Sequence, residues 1–309
     1  MASIDEILAA EPPAFGRAVR AIIAGDPRTL RAELAAVPDL VRARSTSPHH
    51  ATLLHYVSAN GVESELQGPV ANADEIAALL IAAGAEVNAG CDAYGWSDTL
   101  GLVVTSDHPN EAGVAGRLVA LLCSAGATID GPQGDGSPLA AALAFATLDC
   151  VEVLIARGAR TDNPAFAAAA GRTDWLRAWL DGHATIAMQP APNLLPLSSD
   201  RAVAAEQALV FASMCGQTET VRLLLDAGVE VNAQPPGSHW TATPLHTAAI
   251  QGQVVVVKLL VQRGADPTLR DGRHRSTAVE WAGHARGPRR ALARAVSILL
   301  DEREHRNWE

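Results

Sequence analysis

A group of polar and aromatic side chains between residues 49 and 108 has the types from which a small ligand-binding or catalytic site can be built. Its members are His49, His50, His55, Tyr56, Asn60, Glu63, Trp96, Asp98, Ser106 and His108. A histidine beside a carboxylate can act as a general base. If the helices that carry Tyr56, Asn60 and His108 stack in register, these side chains lie in neighbouring rows, and a pocket between them is geometrically feasible.

The sequence lacks the motifs that identify common enzyme classes. There is no nucleophile elbow, phosphate-binding loop, zinc signature or dinucleotide fingerprint. Gly134-Asp135-Gly136 is too short to hold a phosphate and is typical of a turn. The four cysteines, Cys91, Cys123, Cys150 and Cys215, lie far apart without a histidine at metal-ligand spacing, which predicts reduced thiols. We therefore predict a protein that is not an enzyme, with no catalytic residue, metal or cofactor.

Charge and composition narrow the classes of partner. The formal net charge of −10 opposes binding along a phosphate backbone, so we expect no nucleic-acid ligand. No stretch approaches the ~20 apolar residues of a membrane helix, and residues 1–10 contain acids and lack the pattern of a signal peptide. We expect a cytoplasmic protein without membrane contact. Hydrophobic residues make up 48% of the chain but aromatic ones only 4%, which favours an interior of short, closely packed helices.

A short tail recurs along the chain: a pair of mostly branched apolar residues, two further residues and a glycine. Its copies end at Gly84, Gly126, Gly158, Gly228 and Gly264. Each copy predicts an apolar helix that ends at a glycine in the left-handed conformation. The interval between Gly158 and Gly228 is about twice the others, which predicts a degenerate unit at 163–182 with its turn at Gly171-Arg172.

The clearest copy of the whole unit begins at Thr243-Pro244-Leu245-His246 and runs to Asp266. Thr243 can cap a helix, Pro244 suits its first turn, and Ala248-Ala249 allow close approach of a neighbouring helix. The segment resembles the ankyrin repeat, in which Thr-Pro-Leu-His opens the first helix, a glycine ends it and a Val-x-x-Leu-Leu helix returns. The resemblance implies that His246 hydrogen-bonds its neighbours and has a structural role.

Weaker copies extend the resemblance over most of the chain. They stand at 52–56, 137–140 and 276–282, and residues 15–37 are typical of a helical cap broken at Gly25-Asp26. We predict an all-α ankyrin-repeat solenoid of about eight helix-turn-helix units with capping helices at both ends. The predicted parts are a helical N-terminal cap (1–45), divergent repeats with irregular insertions (46–182), a Pro-rich linker or groove-covering segment (183–200), and C-terminal repeats with a cap (201–309).

Departures from the repeat pattern indicate where the chain binds. Residues 62–70 and 105–111 are predicted to be loops, Asn72 a helix cap, and the fingers between repeats are longer at 88–98 and 232–241 than at 130–136, 160–163 and 268–275. The resemblance implies a protein partner, of unknown identity, on the concave face and fingers. The predicted partner-binding residues are Tyr56, Asn60, Tyr94, Trp96, Asp98, Ser106, His108, His239 and Trp240. The alternative is a small-molecule site or enzyme on the N-terminal repeats, with an apolar cavity roofed by 62–70 or 183–200.

Overall fold

The computed structural model describes residues 4–60, 67–186, 195–237, 241–285 and 289–306. The chain divides into two compact units. The first comprises Met1–Gly134 and Asp149–Gly158, and the second comprises Asp135–Leu148 and Ala159–Glu309.

Helices dominate both units, as the sequence predicts. The α-helices are α1 (Ile4–Leu8), α2 (Pro13–Ile23), α3 (Pro27–Ala36), α4 (Ala73–Ala82), α5 (Thr99–Val104), α6 (Asp107–Glu111), α7 (Ala115–Ser124), α8 (Ser137–Ala144), α9 (Leu148–Ala156), α10 (Pro164–Ala169), α11 (Thr173–Leu180), α12 (Arg201–Met214), α13 (Thr218–Asp226), α14 (Pro244–Ile250), α15 (Val254–Gln262), α16 (Ala278–Gly283) and α17 (Arg290–Arg306). Short 3₁₀ helices span Pro38–Arg42, Leu53–Ser58 and Ala93–Gly95, and two-residue strands β1 (Gly90–Cys91) and β2 (Ser97–Asp98) form one antiparallel hairpin.

In the first unit, helical pairs stack around the 3₁₀ helix Leu53–Ser58. Helices α2 and α5 both pack against this 3₁₀ helix, and α4 packs against it and against α3 and α7. Phe15, Leu54, Leu80 and Leu118 have at most 1% of their surface exposed in this core. Because each pair has an apolar face that it cannot bury alone, the neighbouring pair completes its core.

The second unit repeats the arrangement with small residues. Helix α12 packs against α10 and α14, and α14 packs against α16. One apolar cluster runs through these helices and is rich in fully buried alanines, including Ala168, Ala208 and Ala248. The methyl side chain of alanine is small and lets the helices approach closely, which agrees with the low aromatic content of the sequence. The predicted degenerate unit is confirmed as the pair α10 and α11.

The two histidines of the repeat motif have the structural role that the resemblance implies. The backbone N–H of His246 donates to Thr243 Oγ1, and its Nε2 donates to the carbonyl of Ser276 at 2.9 Å. His55 has the matching role in the first unit: its Nδ1 accepts from the Thr52 N–H at 3.0 Å, and its Nε2 donates to the Ala89 carbonyl at 2.9 Å. Each buried imidazole therefore joins its own repeat to the next finger.

At three places among the described residues, a side-chain amide at the start of a second helix donates to a carbonyl of the preceding repeat, and we name these bonds the amide ladder. Asn72 Nδ2 donates to the Gly25 carbonyl at 3.1 Å, Gln217 Nε2 to the Ala169 carbonyl at 3.0 Å, and Gln253 Nε2 to the Met214 carbonyl at 3.1 Å. Each donor precedes the second helix of its repeat. Asn72 occupies the predicted cap position, but its side chain makes this bond instead of capping α4.

The prediction of a loop at 105–111 is wrong, because residues 107–111 form α6. Ser106 stands at the N-cap, and the N–H of Ala112 closes the turn on the His108 carbonyl at 3.0 Å. Pro109 fits because it lies in the first turn, where its missing N–H has no helical partner. Its ring is buried, so packing stabilises a short helix that the local sequence does not favour.

The Pro-rich segment lies partly outside the described residues, which omit 187–194. Its described parts, 183–186 and 195–200, contain no helix. Leu195 is buried. The side-chain amide of Gln207 in α12 binds the backbone of this segment twice, accepting from the Ser198 N–H and donating to the Pro196 carbonyl. Within the described ranges, no helix is long and apolar enough to cross a membrane.

Replacing Ala146 by glycine should raise the stability of the chain. Ala146 follows α8 with a φ of 54°, in the left-handed region where Gly171, Gly216 and Gly252 stand in other repeats. A Cβ in this conformation costs about 1 kcal/mol, partly offset by the entropy of glycine in the unfolded chain. We expect the urea midpoint of Ala146→Gly to increase. The matched substitution Ala120→Gly, inside α7, should lower the midpoint, because it reduces the free energy of unfolding by about 1 kcal/mol. Equal decreases of the midpoint in both variants would contradict the strain.

Candidate protein-binding surface

The segment Gly90–Asp98, here called the aromatic finger, is a two-stranded hairpin. Strands β1 and β2 pair Gly90 with Asp98 and Cys91 with Ser97. The tip turns through Tyr94 (φ 54°) and Gly95 (φ 92°), both left-handed. A tyrosine rarely adopts this conformation, so the fold around the tip must hold it there.

The two aromatic side chains of the finger face solvent. Tyr94 is 74% exposed and Trp96 is 50% exposed. The Trp96 indole lies directly on Gly90, where any Cβ would overlap its ring. Tyr94 Oη donates to Asn60 Oδ1 at 2.9 Å. Both rings are thus fixed at one edge and accessible over the rest.

The base of the aromatic finger is tied to the segment that precedes the first repeat motif. Arg44 Nη1 donates to the Gly90 carbonyl at 2.7 Å and to the His50 carbonyl at 2.9 Å. The Asp92 N–H donates to the His49 carbonyl at 2.8 Å, and Asp92 Oδ2 lies 2.7 Å from His50 Nδ1. Sequence reasoning did not single out Arg44 or Asp92, because Arg44 binds backbone carbonyls and the Asp92 carboxylate meets an imidazole 42 residues earlier in the chain.

Asn60 connects the tip of the aromatic finger to helix α5. Its Nδ2 donates to the Leu102 carbonyl at 3.1 Å and to Thr105 Oγ1 at 2.7 Å, while its Oδ1 accepts from Tyr94. All three polar positions of the amide are therefore used within the chain. The structure brings Asn60 and Tyr94 into contact, and Asn60 positions the Tyr94 ring.

Three of the predicted partner-binding residues lie inside the unit. Tyr56 is 1% exposed, Asp98 6% and Ser106 2%. The Tyr56 ring packs edge-on against Phe15 and His49. Asp98 caps α5 by accepting the Gly101 N–H at 2.7 Å, and burial raises the pKa of its carboxyl group. They offer no accessible surface to a protein partner, and Asp98 instead joins β2 to α5.

Tyr56 and His108 line the same pocket. Its other walls are Ile22, Val57, Ala59, Gly68, Val70, Ala73, Ile76 and Pro109. The centre of a water-sized molecule can occupy only about 10 Å³ of this space, whereas small-molecule sites usually enclose ~300–1,000 Å³. None of these wall residues is a carboxylate, so the described wall does not supply His108 with the partner that a general base needs.

The second elongated finger carries the remaining predicted residues. His239 and Trp240 lie outside the described residues. Its described part is tied to the next finger, because Gln234 Nε2 donates to the Arg270 carbonyl at 2.7 Å and the Gly272 N–H donates to the Thr241 carbonyl at 3.3 Å. Within the described ranges, no three histidine, cysteine, aspartate or glutamate side chains are grouped so that they could hold a metal ion.

Several known proteins share segments with this chain. It is 43% identical over 63 residues to "Palmitoyltransferase AKR1" of Lachancea kluyveri, covering 20% of this chain and 8% of that protein. It is 36% identical over 94 residues to "Ankyrin repeat and SOCS box protein 6" of Mus musculus, covering 30% and 22%. The chain thus spans less than a quarter of the length of either relative.

A solved structure, the human ASB11 ankyrin repeat domain, is similar with a TM-score of 0.42 and 20% identity, covering 93% of this chain and 97% of that one. The family model for ankyrin repeats matches residues 165–271 in three copies. That range contains the pairs α10 and α11, α12 and α13, and α14 and α15, whose caps, turns and buried histidine are described above. Residues 165–271 of the chain therefore carry three ankyrin repeats.

Proposed function

We propose that the chain binds a protein partner through the aromatic finger, with Tyr94 and Trp96 as the anchoring side chains. Ankyrin repeats are generally protein–protein interaction modules. The observation that carries the proposal is the exposure of two aromatic rings, 74% and 50%, on a hairpin that is fixed at its base and its tip.

Fixed aromatic side chains are efficient anchors. Burying a tyrosine or tryptophan removes a large apolar area from water while its polar atom can still form a hydrogen bond. The rotamers of Tyr94 and Trp96 are already restricted by Asn60 and Gly90, so little entropy is lost when a partner covers them. The left-handed backbone at Tyr94 is the kind of local strain that accumulates at functional sites.

Other exposed apolar side chains lack these features. Val37, Phe145, Val255 and Leu292 are the other large apolar residues exposed in the described parts of the chain. None of them has a neighbour in sequence that is also a large exposed apolar residue. The aromatic finger therefore has two exposed aromatic anchors two positions apart in sequence, which these other sites lack.

The alternative, a small-molecule site at the pocket with Tyr56 and His108, has apolar walls and is lined by Gly68 and Val70 of the predicted roof. It is the less well supported function because the space is small and its described wall offers a single imidazole. A protein partner requires no such cavity.

Alanine substitution of both anchors tests the proposal. The chain is used as bait in an extract of the cells that produce it, and captured proteins are quantified for the wild type, the Tyr94→Ala/Trp96→Ala variant and a Phe145→Ala control. A specific partner should be lost from the double variant and kept by the control. Titration of that partner should show at least about a 30-fold loss of affinity, since buried aromatic anchors contribute about 2 kcal/mol or more. Equal capture by all three baits would refute the role of the finger.

A further inference from the structure

The last finger of the chain differs from the rest in charge. Four basic side chains, Arg270, Arg273, His274 and Arg275, stand within six residues and are all exposed. Seven arginines but only two acidic residues occur between 268 and 294, in a chain whose net charge is −10. We call residues 270–276 the basic finger.

A buried carboxylate gives the basic finger one defined backbone conformation. Asp271 is 1% exposed and accepts from the N–H groups of Arg273 (2.8 Å), His274 (2.6 Å) and Ser276 (2.8 Å). It also accepts from Trp281 Nε1 at 3.1 Å. The loop is further tied to the preceding finger through the carbonyl of Arg270 and the N–H of Gly272. The basic side chains therefore project from a backbone with a fixed conformation.

The acidic groups of the same region are already engaged. Asp271 is enclosed by the four donors above, and Glu280 accepts from the Thr277 N–H at 2.7 Å and from Arg270 Nη1 at 3.4 Å. Arg270 also donates to the Arg275 carbonyl at 2.6 Å, so its guanidinium stabilises the loop. The other exposed arginines of the finger are Arg273 and Arg275, with His274 between them in sequence.

Arg275 occupies an unfavourable position for any residue except glycine. Its φ is 58°, in the left-handed region that side chains with a Cβ rarely adopt. A guanidinium held at such a position on an exposed turn is the kind of strained residue that points to binding.

We propose that the basic finger binds an acidic segment of a protein partner, at a surface separate from the aromatic finger. Guanidinium groups bind carboxylates in paired hydrogen bonds, and a rigid cluster of them attracts a negatively charged segment at long range. A peptide is favoured over a nucleic acid because the remainder of the chain is strongly acidic and repels a continuous phosphate backbone. The inference rests on the proposed function only in assuming that the partner is a protein.

The test uses a fluorescently labelled peptide of twelve glutamates, titrated with the full chain at low salt and followed by anisotropy. The test variant is Arg273→Gln/Arg275→Gly. The control is Arg177→Gln/Arg222→Gln, which removes two exposed arginines from helices α11 and α13 of the same unit. The glycine fits the left-handed backbone, so the test variant should fold with an unchanged or higher melting temperature. We expect the test variant to lose at least about tenfold in affinity and the control less than about twofold.

Three results would overturn the proposal: no binding by the wild type, equal losses in test and control variants, or tighter binding of a twelve-nucleotide single strand of DNA that is lost in the same test variant. Because the peptide titration does not involve Tyr94 or Trp96, it separates the two proposals. If the full chain binds the peptide but the Tyr94→Ala/Trp96→Ala variant still captures every partner, the proposed function is wrong and the basic finger is unaffected.

Discussion

Lowering the pH from 7 to 4 should reduce the free energy of unfolding by about 3 kcal/mol through His55 alone. Burial lowers the pKa of His55 to about 4 in the folded chain, from an ordinary value near 6.5. The unfolded chain therefore takes up a proton first as the pH falls. The stability contribution of the neutral imidazole is complete above pH 6.5 and is lost progressively down to pH 4. His246 acts in the same direction, since burial also lowers its pKa.

The effect is measured as the difference in urea stability between the wild type and His55→Gln at several pH values. Glutamine does not titrate, so the variant should be the less stable protein at pH 7 and the gap should narrow by about 3 kcal/mol on acidification to pH 4. His183→Gln, at an exposed position, is the control for the loss of an imidazole. A constant gap for His55→Gln would mean that the imidazole takes up its proton as readily in the folded chain as in the unfolded one.

Removing the carboxylate of Asp271 should destabilise the second unit by about 3 kcal/mol. Alanine at this position leaves three backbone N–H groups and the Trp281 indole without their acceptor, and a buried donor without a partner costs ~1–3 kcal/mol. Burial alone would raise the pKa of Asp271, but the donated hydrogen bonds prevail and lower it to about 2. The stabilisation is thus present above pH 4 and declines as the pH falls towards 2.

A matched control for Asp271→Ala is Asp226→Ala. Asp226 is 56% exposed and forms a salt bridge with Arg263 at 2.7 Å, an interaction worth at most about 1 kcal/mol. Thermal or urea unfolding of both variants gives the comparison. Equal small losses would show that the loop rearranges and satisfies its donors with water.

The repeats could be predicted from sequence because their contacts are short in range. Thr243, Pro244 and His246 act within one turn of helix and on the next finger, and the glycine turns end helices through their own backbone. The exposed rings of the aromatic finger were also identified from sequence. Such features need only the order of residues along the chain.

The buried residues of the site could not be predicted from sequence, because their contacts join segments that are far apart along the chain. Tyr56 is buried because Phe15 comes from α2 and His49 from the preceding loop. Helix α6 exists because Pro109 packs into a wall built by residues far away in sequence. Glu11 was overlooked as well: it is buried and bound by Ser45, Thr46 and Ser47. No pattern along the chain shows which polar residue a distant segment will cover.

The hydrogen bonds of the amide ladder all run in the same direction along the chain. At Asn72, Gln217 and Gln253 the donor belongs to the later repeat and the acceptor to the earlier one, 47, 48 and 39 residues behind. During synthesis on the ribosome, the acceptor carbonyl of the earlier repeat therefore stays exposed to water until the amide before the second helix of the next repeat has emerged.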